Sequence, residues 1–325
     1  MAKREICHPV VFSGQSLRQM NPLRSRLKIR HIQVVVAIAE MGNLLRAAQA
    51  LNITQPAISK ALAEVEDVVG ERLFDRTPFG TKPTLAGDAL IRYGLNVLAD
   101  MDRMHDALSA IRRGEGGQLR VGVFSLISQW APFSRALIRL RAMATGLSLA
   151  IEDGNMEDLM SKLDAGTLDV VVGRYPYANQ QSHHVVRGLA PDRIVAAVRD
   201  AHPVLTKSNL SITDLVGYPW ILPPERNIVR IQLEMELKAL GLAFKAVPLA
   251  SLTIPVNVKL VQSSDLVMLM PSSLALEQAD SWQLEILPIE LPVSVGPLVA
   301  ISRGDRVVDR LRDALIEILS EEAKV

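Results

Sequence analysis

Residues Asn43 to Leu62 read NLLRAAQALNITQPAISKAL. Asn43 can cap a short helix in which Leu44, Ala47, Ala48 and Leu51 recur at helical spacing, and that helix stops at Asn52. Thr54 caps a second helix. Pro56 falls in its first turn, where a missing N–H costs nothing, and Ile58, Leu62 and Val65 continue an apolar stripe at i, i+4 and i+7. The pair predicts a helix-turn-helix. Its second helix turns Gln55, Ala57, Ser59 and Lys60 outward, small or hydrogen-bonding groups of the kind that read base edges or hold phosphates in a major groove. Two short amphipathic helices at an angle also occur in purely structural bundles, so this segment alone leaves both readings open.

The surrounding residues decide between them. Arg46-Ala47-Ala48 precedes Gln55-Pro56-Ala57-Ile58-Ser59, and Gly70-Glu71-Arg72-Leu73-Phe74-Asp75-Arg76-Thr77 and Pro83-Thr84-Leu85-Ala86-Gly87 follow. From Arg26 to Gly122 this order resembles the amino-terminal half of the LysR-type transcriptional regulators, whose motifs are R-A-A, Q-P-A-hydrophobic-S, G-x-x-L-F-x-R-T and P-T-x-x-G. The resemblance implies a winged helix-turn-helix over residues 27–83 with DNA contacts from Arg46, Thr54, Gln55, Pro56, Ser59, Lys60, Arg76 and Lys82. Its first helix is the run from Ile29 to Ala39, on which His31 reads as a surface residue. The wing is the pair of short extended pieces around Pro78-Phe79-Gly80, flanked by Arg76 and Lys82. Phe79 at its tip departs from the polar residue common in the family. Asn21-Pro22-Leu23, Arg30-His31 and Leu44-Leu45 are similar to the branch containing regulators of sugar-uptake and aromatic-acid genes.

Residues 84–113 predict one long helix. Leu90, Gly94, Val97, Met101, Met104, Leu108 and Ile111 fall at alternating three- and four-residue steps, the period of a coiled-coil seam, while charged residues solvate the other faces. Such a stripe can be core or interface. In the resembling family this helix pairs two subunits, which implies a homodimer through Leu90, Val97, Met101, Met104, Leu108 and Ile111, with a tetramer as the family norm. Gly114-Glu115-Gly116-Gly117 reads as a hinge. Residues 1–26 have no sustained period and read as a flexible arm or as the product of a start placed too far upstream, with a DNA-backbone arm as the other reading.

Beyond the hinge, short apolar strands at 119–123, 147–152, 168–173, 194–198, 266–270 and 297–301 alternate with amphipathic segments at 134–143, 156–165, 230–240 and 305–319. A further strand is expected at Phe244 to Leu249. Alternation of this kind predicts open α/β sheets with helices on both faces. The resemblance implies a two-lobed effector domain like the periplasmic binding proteins, residues 118–325, with lobe one at 118–188 and 292–325 and lobe two at 189–291. In such folds ligands sit at the carboxyl ends of strands, near helix amino termini. Ser125 and Ser128 follow the first strand, where Ser125 can cap a helix or meet a ligand. Arg174 ends the third strand and can pair with a ligand carboxylate or with a neighbouring acid. Pro223 and Asn227 start a helix in lobe two, where Pro223 can shape the loop or touch ligand. Ser251 and Thr253 resemble the segment that lines the far wall in the family, or cap the next helix. A cleft between Ser125, Arg174, Asn227 and Thr253 favours a small organic anion.

Composition sets limits on the rest. The chain has 325 residues, 49% of them apolar, enough for two or three domains with ordinary cores. Its net charge of +1 conceals a basic amino-terminal third, 16 Lys and Arg against 11 Asp and Glu up to Gly114, followed by 20 against 24. That asymmetry suits a nucleic-acid module joined to a body that binds something else. A single cysteine, Cys7, allows no intrachain disulfide and no cysteine zinc cluster, and no apolar run approaches the ~18 residues of a membrane span. A cytoplasmic protein is expected, with no membrane partner. No nucleophile elbow, Walker loop, dinucleotide fingerprint or H-E-x-x-H is present, and adjacent His183-His184 cannot share one helical face. No enzyme, cofactor or metal site is therefore expected. The expected function is sequence-specific regulation of transcription, set by a small-molecule effector, with operator DNA and RNA polymerase as partners. The other class of reading is a solute-binding protein whose amino-terminal helices serve only for assembly.

Overall fold

The computed structural model describes residues 22–77, 80–113, 117–175, 183–304 and 309–324. Its chain divides into two compact units, one up to Met104 and one from His105.

In the first unit, α1 (Pro22–Arg26) occupies part of the segment expected to be an arm. Helix α2 (Ile29–Met41) packs Val34, Val35 and Ile38 against Ala47 and Ala48 of α3 (Leu44–Ala50) and Ile58, Leu62 and Val65 of α4 (Gln55–Val69). The expected stripe is therefore the core, and emptying the Ile58 position to Ala would cost about 2–5 kcal/mol because Ile58 is fully buried. His31 lies inside rather than on the surface, at 7% exposure. Its Nδ1 accepts from the Lys28 N–H at 3.3 Å and its Nε2 stands 3.5 Å from Glu64. Strands β1 (Phe74–Thr77) and β2 (Gly80–Pro83) pair antiparallel as the expected wing, whose tip at Pro78 and Phe79 falls outside the described residues.

Helix α5 (Leu85–Arg113) begins at a tight junction. The Thr84 hydroxyl donates to the Arg72 carbonyl at 2.6 Å and accepts the Gly87 N–H at 3.1 Å, closing the helix end. A Cβ on Gly87 would stand 2.0 Å from the Leu73 carbonyl oxygen, and one on Gly94 2.8 Å from Ile32. These two close approaches explain why glycine occupies both positions. Leu90 is half-buried against the core of its own domain, which corrects its placement on the seam. The uncovered stripe runs through Val97, Met101, Met104 and Leu108, each more than a third exposed, and the Ile111 side chain lies outside the described residues. The division between units falls within α5 rather than at residues 114–117, of which 114–116 are outside the described residues. Asp106 of α5 and Arg120 of β3 both belong to the second unit, where the carboxylate accepts from the guanidinium.

The second unit holds two five-stranded sheets. The first contains β3 (Gln118–Phe124), β4 (Ser148–Gly154), β5 (Val170–Arg174), β6 (His184–Ala190) and β12 (Leu298–Arg303), in the order β4-β3-β5-β12-β6. Strands β3, β4 and β5 run parallel, and β12 is antiparallel to both its neighbours. Helices α6 (Ala131–Met143) and α12 (Arg310–Glu322) cover one face, and α7 (Met156–Ala165) packs in a separate cluster around Val171 and Ile301. The second sheet contains β7 (Ile194–Arg199), β8 (Trp220–Leu222), β9 (Leu249–Ala250), β10 (Val267–Pro271) and β11 (Leu284–Ile286), in the order β11-β7-β10-β8-β9. Helix α9 (Ile228–Ala239) packs in one cluster, and α10 (Ile254–Gln262) and α11 (Ser272–Gln278) in another; the short α8 is Ile212–Leu215. Because the two clusters draw on alternate residues of the same strands, helices lie on both faces, as the alternation predicted. The strand expected over 244–249 is reduced to Leu249–Ala250, and β6, β8 and β11 were not expected. Since β6 pairs in the first sheet as far as Ala190, the lobe boundary falls after 190 rather than after 188.

Candidate functional site

Two surfaces can carry function, one in each unit. In the first, Asn43 accepts from the N–H groups of Leu45 at 2.7 Å and Arg46 at 3.4 Å, so α3 starts where the sequence indicated. Asn52 takes a positive φ of 53° in the turn, and Thr54 Oγ1 accepts from Ala57 N–H at 3.4 Å to open α4. Burial of Ile58, Leu62 and Val65 then fixes the roll of α4. Gln55, Pro56 and Lys60 are left exposed and Ser59 half-exposed at its amino-terminal end, with Thr54 and Arg46 exposed beside them. Lys60 stands 4.0 Å from Glu64 one turn on, in a surface pair whose geometry leaves the ammonium available to phosphate. Lys82 is exposed on the wing, while the side chain of Arg76 lies outside the described residues. The structure thus brings Thr54, Gln55, Pro56, Ser59 and Lys60 onto one helix end, with Arg46 exposed separately in the first turn of α3.

The second surface is a cleft of about 170 Å³ in the second unit. It lies at the carboxyl ends of strands: Phe124 ends β3, Arg174 ends β5, Pro223 and Ser251 follow β8 and β9, and Pro271 ends β10. Both sheets supply lining, so this is the interlobe site expected of open α/β sheets. Its walls are mainly apolar, through Phe124, Leu126, Met156, Ile221, Leu252 and Met270. Helices α9 and α10 begin at its edge with Asn227, Ile228 and Ile254, which places helix amino termini against the space. Asn227 Oδ1 is itself occupied, accepting from the Val229 N–H at 3.0 Å as an ordinary helix cap.

Four of the expected effector residues line this cleft: Arg174, Pro223, Asn227 and Ser251. Ser125, Ser128 and Thr253 do not. Ser125 donates to Asp153 at 3.0 Å, and Ser128 donates to the Ser125 carbonyl at 2.9 Å, so a single 3-10 turn after β3 uses both hydroxyls locally. Thr253 precedes α10 as an exposed residue without a side-chain cap bond. Arg174 also differs from the simplest expectation. Its guanidinium donates to Asp192, whose side chain is wholly buried, so the neighbouring acid answers its charge. The expectation of a small organic anion therefore loses its fixed-charge argument and rests on the helix termini alone.

Asn257 was missed. It is 3% exposed, lines the cleft, and its Oδ1 has no hydrogen-bond partner among the described residues. Arg174 Nε is buried without a partner in the same way. One acceptor and one donor in an apolar cleft are costly unless something answers them. The signal was present in the sequence as a lone amide on the apolar face of α10, between Ile254, Val258 and Val261.

Comparison with known proteins finds family matches over both parts of the chain. Residues 29–88 match the bacterial regulatory helix-turn-helix protein, lysR family, and residues 112–324 match the LysR substrate binding domain. The regulator GbpR of Azospirillum brasilense is 28% identical over 280 residues, 85% of this chain and 80% of that protein. PcaQ of Agrobacterium fabrum is 26% identical over 299 residues, 92% and 96% of the two chains. The crystal structure of CbnR, a LysR family transcriptional regulator, superposes with a TM-score of 0.60 at 20% identity, covering 92% of this chain and all of that one. The helix-turn-helix match leaves no room for a solute-binding protein with a mere assembly module. This chain belongs to the LysR family of bacterial transcriptional regulators, with a helix-turn-helix DNA-binding domain and an effector-binding domain.

Proposed function

We propose that the chain works as a dimer on a two-fold symmetric operator, with the amino-terminal end of α4 in the major groove and a small effector in the interlobe cleft. The observation that carries this reading is the exposed Thr54, Gln55, Ser59 and Lys60 end of α4, held by the fully buried Ile58 behind it. Gln55 and Ser59 read bases; Arg46, Lys60, Arg76 and Lys82 hold phosphates. The working division is residues 27–83 for DNA, 84–113 for dimerisation and 118–325 for the effector. Two copies pair along Val97, Met101, Met104 and Leu108, and dimers can join further into tetramers. CbnR has been crystallised complexed with its target DNA, which makes the same mode reasonable here.

The effector should have an apolar body and one polar end. The body suits the apolar walls; Arg174 Nε and the amino termini of α9 and α10 can donate to the polar end and still favour a carboxylate, while Asn257 Oδ1, an acceptor, calls for a hydroxyl or N–H donor on the ligand. It acts by binding one lobe arrangement more tightly than another. The match to a ligand-sensing domain of regulators supports a cleft that binds its ligand rather than transforming it. Among the described residues no helix is long and apolar enough to cross a membrane; action on DNA, with RNA polymerase as a partner, supports a cytoplasmic setting. The test is a mobility shift on DNA upstream of the chain's own gene. Specific retention that changes on adding small carboxylic acids with apolar bodies is expected; binding with no sequence preference at any salt concentration would overturn the reading.

A further inference from the structure

Three side chains of the first lobe converge away from the cleft lining. Asp164 lies in the last turn of α7, His183 in a turn, and His184 at the start of β6. Among the described residues they form a group whose ligand atoms all lie within 4.8 Å of one another. Both imidazoles address one carboxylate oxygen: His184 Nε2 is 2.6 Å and His183 Nε2 3.0 Å from Asp164 Oδ1. The two rings meet edge to face, with centroids 4.5 Å apart, so their nitrogens point inward instead of stacking. Sequence spacing hides this, because Asp164 lies 19 residues before His183 and the two histidines are neighbours. Neighbours cannot share a helical face, but here a turn leads into a strand and both rings reach the same oxygen.

The surroundings hold the group in place. Tyr175 Oη lies 2.9 Å from His184 Nδ1, fixing that ring with Nε2 toward Asp164, and Arg303 donates to the Asp164 backbone carbonyl. A partner on the far ring nitrogen is what orients a histidine ligand in metal sites. The His184 side chain is 1% exposed, whereas His183 and Asp164 are about a quarter exposed, leaving a path from solvent.

We propose that Asp164, His183 and His184 form a binding site for one divalent transition-metal ion, with zinc the best fit. Two imidazoles and a carboxylate suit zinc, cobalt or nickel, whereas magnesium and calcium prefer oxygen alone. Ligands at ~2.0–2.2 Å in a tetrahedral shell stand about 3.3–3.6 Å apart, so Asp164 Oδ1, now 2.6 Å and 3.0 Å from the two imidazole nitrogens, must draw away from them by roughly 0.3–1 Å to admit the ion. Three protein ligands leave one position for water. The ion would tie the end of α7 to the edge strand β6. It would also fix Tyr175, the residue next to Arg174 in the cleft.

The experiment uses the full-length, tag-free chain stripped with EDTA and titrated with ZnCl2 by calorimetry, alongside thermal melts. One zinc per chain and a melting temperature that rises with zinc are expected, while MgCl2 has no effect. His183→Ala and Asp164→Asn should each weaken zinc binding by at least about 10-fold. His183 is partly exposed, so His183→Ala should keep the circular dichroism of the parent even if a variant of the buried His184 does not fold. Absence of zinc binding, an equal response to MgCl2, or unchanged affinity in both variants would overturn the proposal. So would loss of binding in Cys7→Ser or His8→Ala with retention in His183→Ala, since the ion would then sit elsewhere.

Discussion

Arg174 and Asp192 form an ion pair between the end of β5 and the crossing from lobe one to lobe two, with the Asp192 side chain wholly buried. The other oxygen of Asp192 accepts from the N–H groups of Arg193 and Ser273 and from the Ser272 hydroxyl, each at 3.0 Å. The carboxylate therefore joins a strand of one lobe to the start of α11 in the other. Removing the guanidinium would leave a buried charge with only neutral partners. Arg174→Ala should destabilise the second unit by about 3 kcal/mol, at the low end for a broken buried pair because three hydrogen bonds remain. Urea denaturation checks this; a loss of unfolding free energy below about 1 kcal/mol would make the pair dispensable.

Asn257 offers a cleaner probe of the effector. Its unanswered Oδ1 contributes nothing to the resting fold, so Asn257→Leu should leave stability unchanged or slightly raised, within about 1 kcal/mol. The same change should reduce effector affinity by about 10-fold or more, the worth of one good hydrogen bond. Calorimetry with an identified effector, run beside a thermal melt, separates the two effects.

On the DNA side, Gln55→Ala should cost about 1–3 kcal/mol at the operator and blur preference there. Lys82→Ala should weaken all DNA alike and reduce the salt slope by about one unit. Equal losses on specific and random DNA for both variants would remove base reading from Gln55.

Met101 is 39% exposed on the proposed seam. Met101→Asp should bury a charge against its mate at a cost of several kcal/mol, dissociating the dimer. Sedimentation showing an intact dimer, with operator affinity preserved, would move the interface to another face.

His202 provides a pH test. It is 2% exposed, its Nδ1 accepts from Val204 N–H at 3.1 Å, and its Nε2 lies 3.2 Å from the Asp265 carbonyl. Burial is the main influence and pushes its pKa below the ordinary 6.5, against the opposing pull of Asp265. The unfolded chain then takes up the proton first. The stability contributed by neutral His202 is complete above pH 6.5 and is lost as pH falls through the lower folded value. Melting temperature should fall as pH drops below 6.5, and less steeply in His202→Gln.

The recognition helix was legible because its markers are local. Asn43 and Thr54 cap, Pro56 opens a turn, and Ile58, Leu62 and Val65 keep one period, so neighbours along the chain suffice. The cleft was legible only in outline. Which loop residues face it depends on the bonds they make first: Ser125 is taken by Asp153 and Arg174 by Asp192, partners 28 and 18 residues away. Strand β6 was missed because Val185 and Val186 are exposed at the sheet edge and carry no alternation. His31 looked like a surface residue because its cover comes from α4 rather than from its own helix.

The missing side chains of Gly87 and Gly94 have a mechanical consequence. With the Leu73 carbonyl and Ile32 lodged against them, α5 cannot roll or slide on the helix-turn-helix without displacing atoms of that domain. The helix is therefore an outrigger bolted to the reading head. Its 29 residues extend about 44 Å at ~1.5 Å per residue. If two copies pair along Val97 to Leu108, a tilt of ~5° about Leu108, roughly 32 Å along the helix from Gly87 at ~1.5 Å per residue, would swing each reading head by about 3 Å, close to the ~3.4 Å between successive bases of a strand. In such a dimer small rotations far from the DNA would become whole steps along it, and the spacing of half-sites it tolerates would be set by how stiffly two outriggers are yoked.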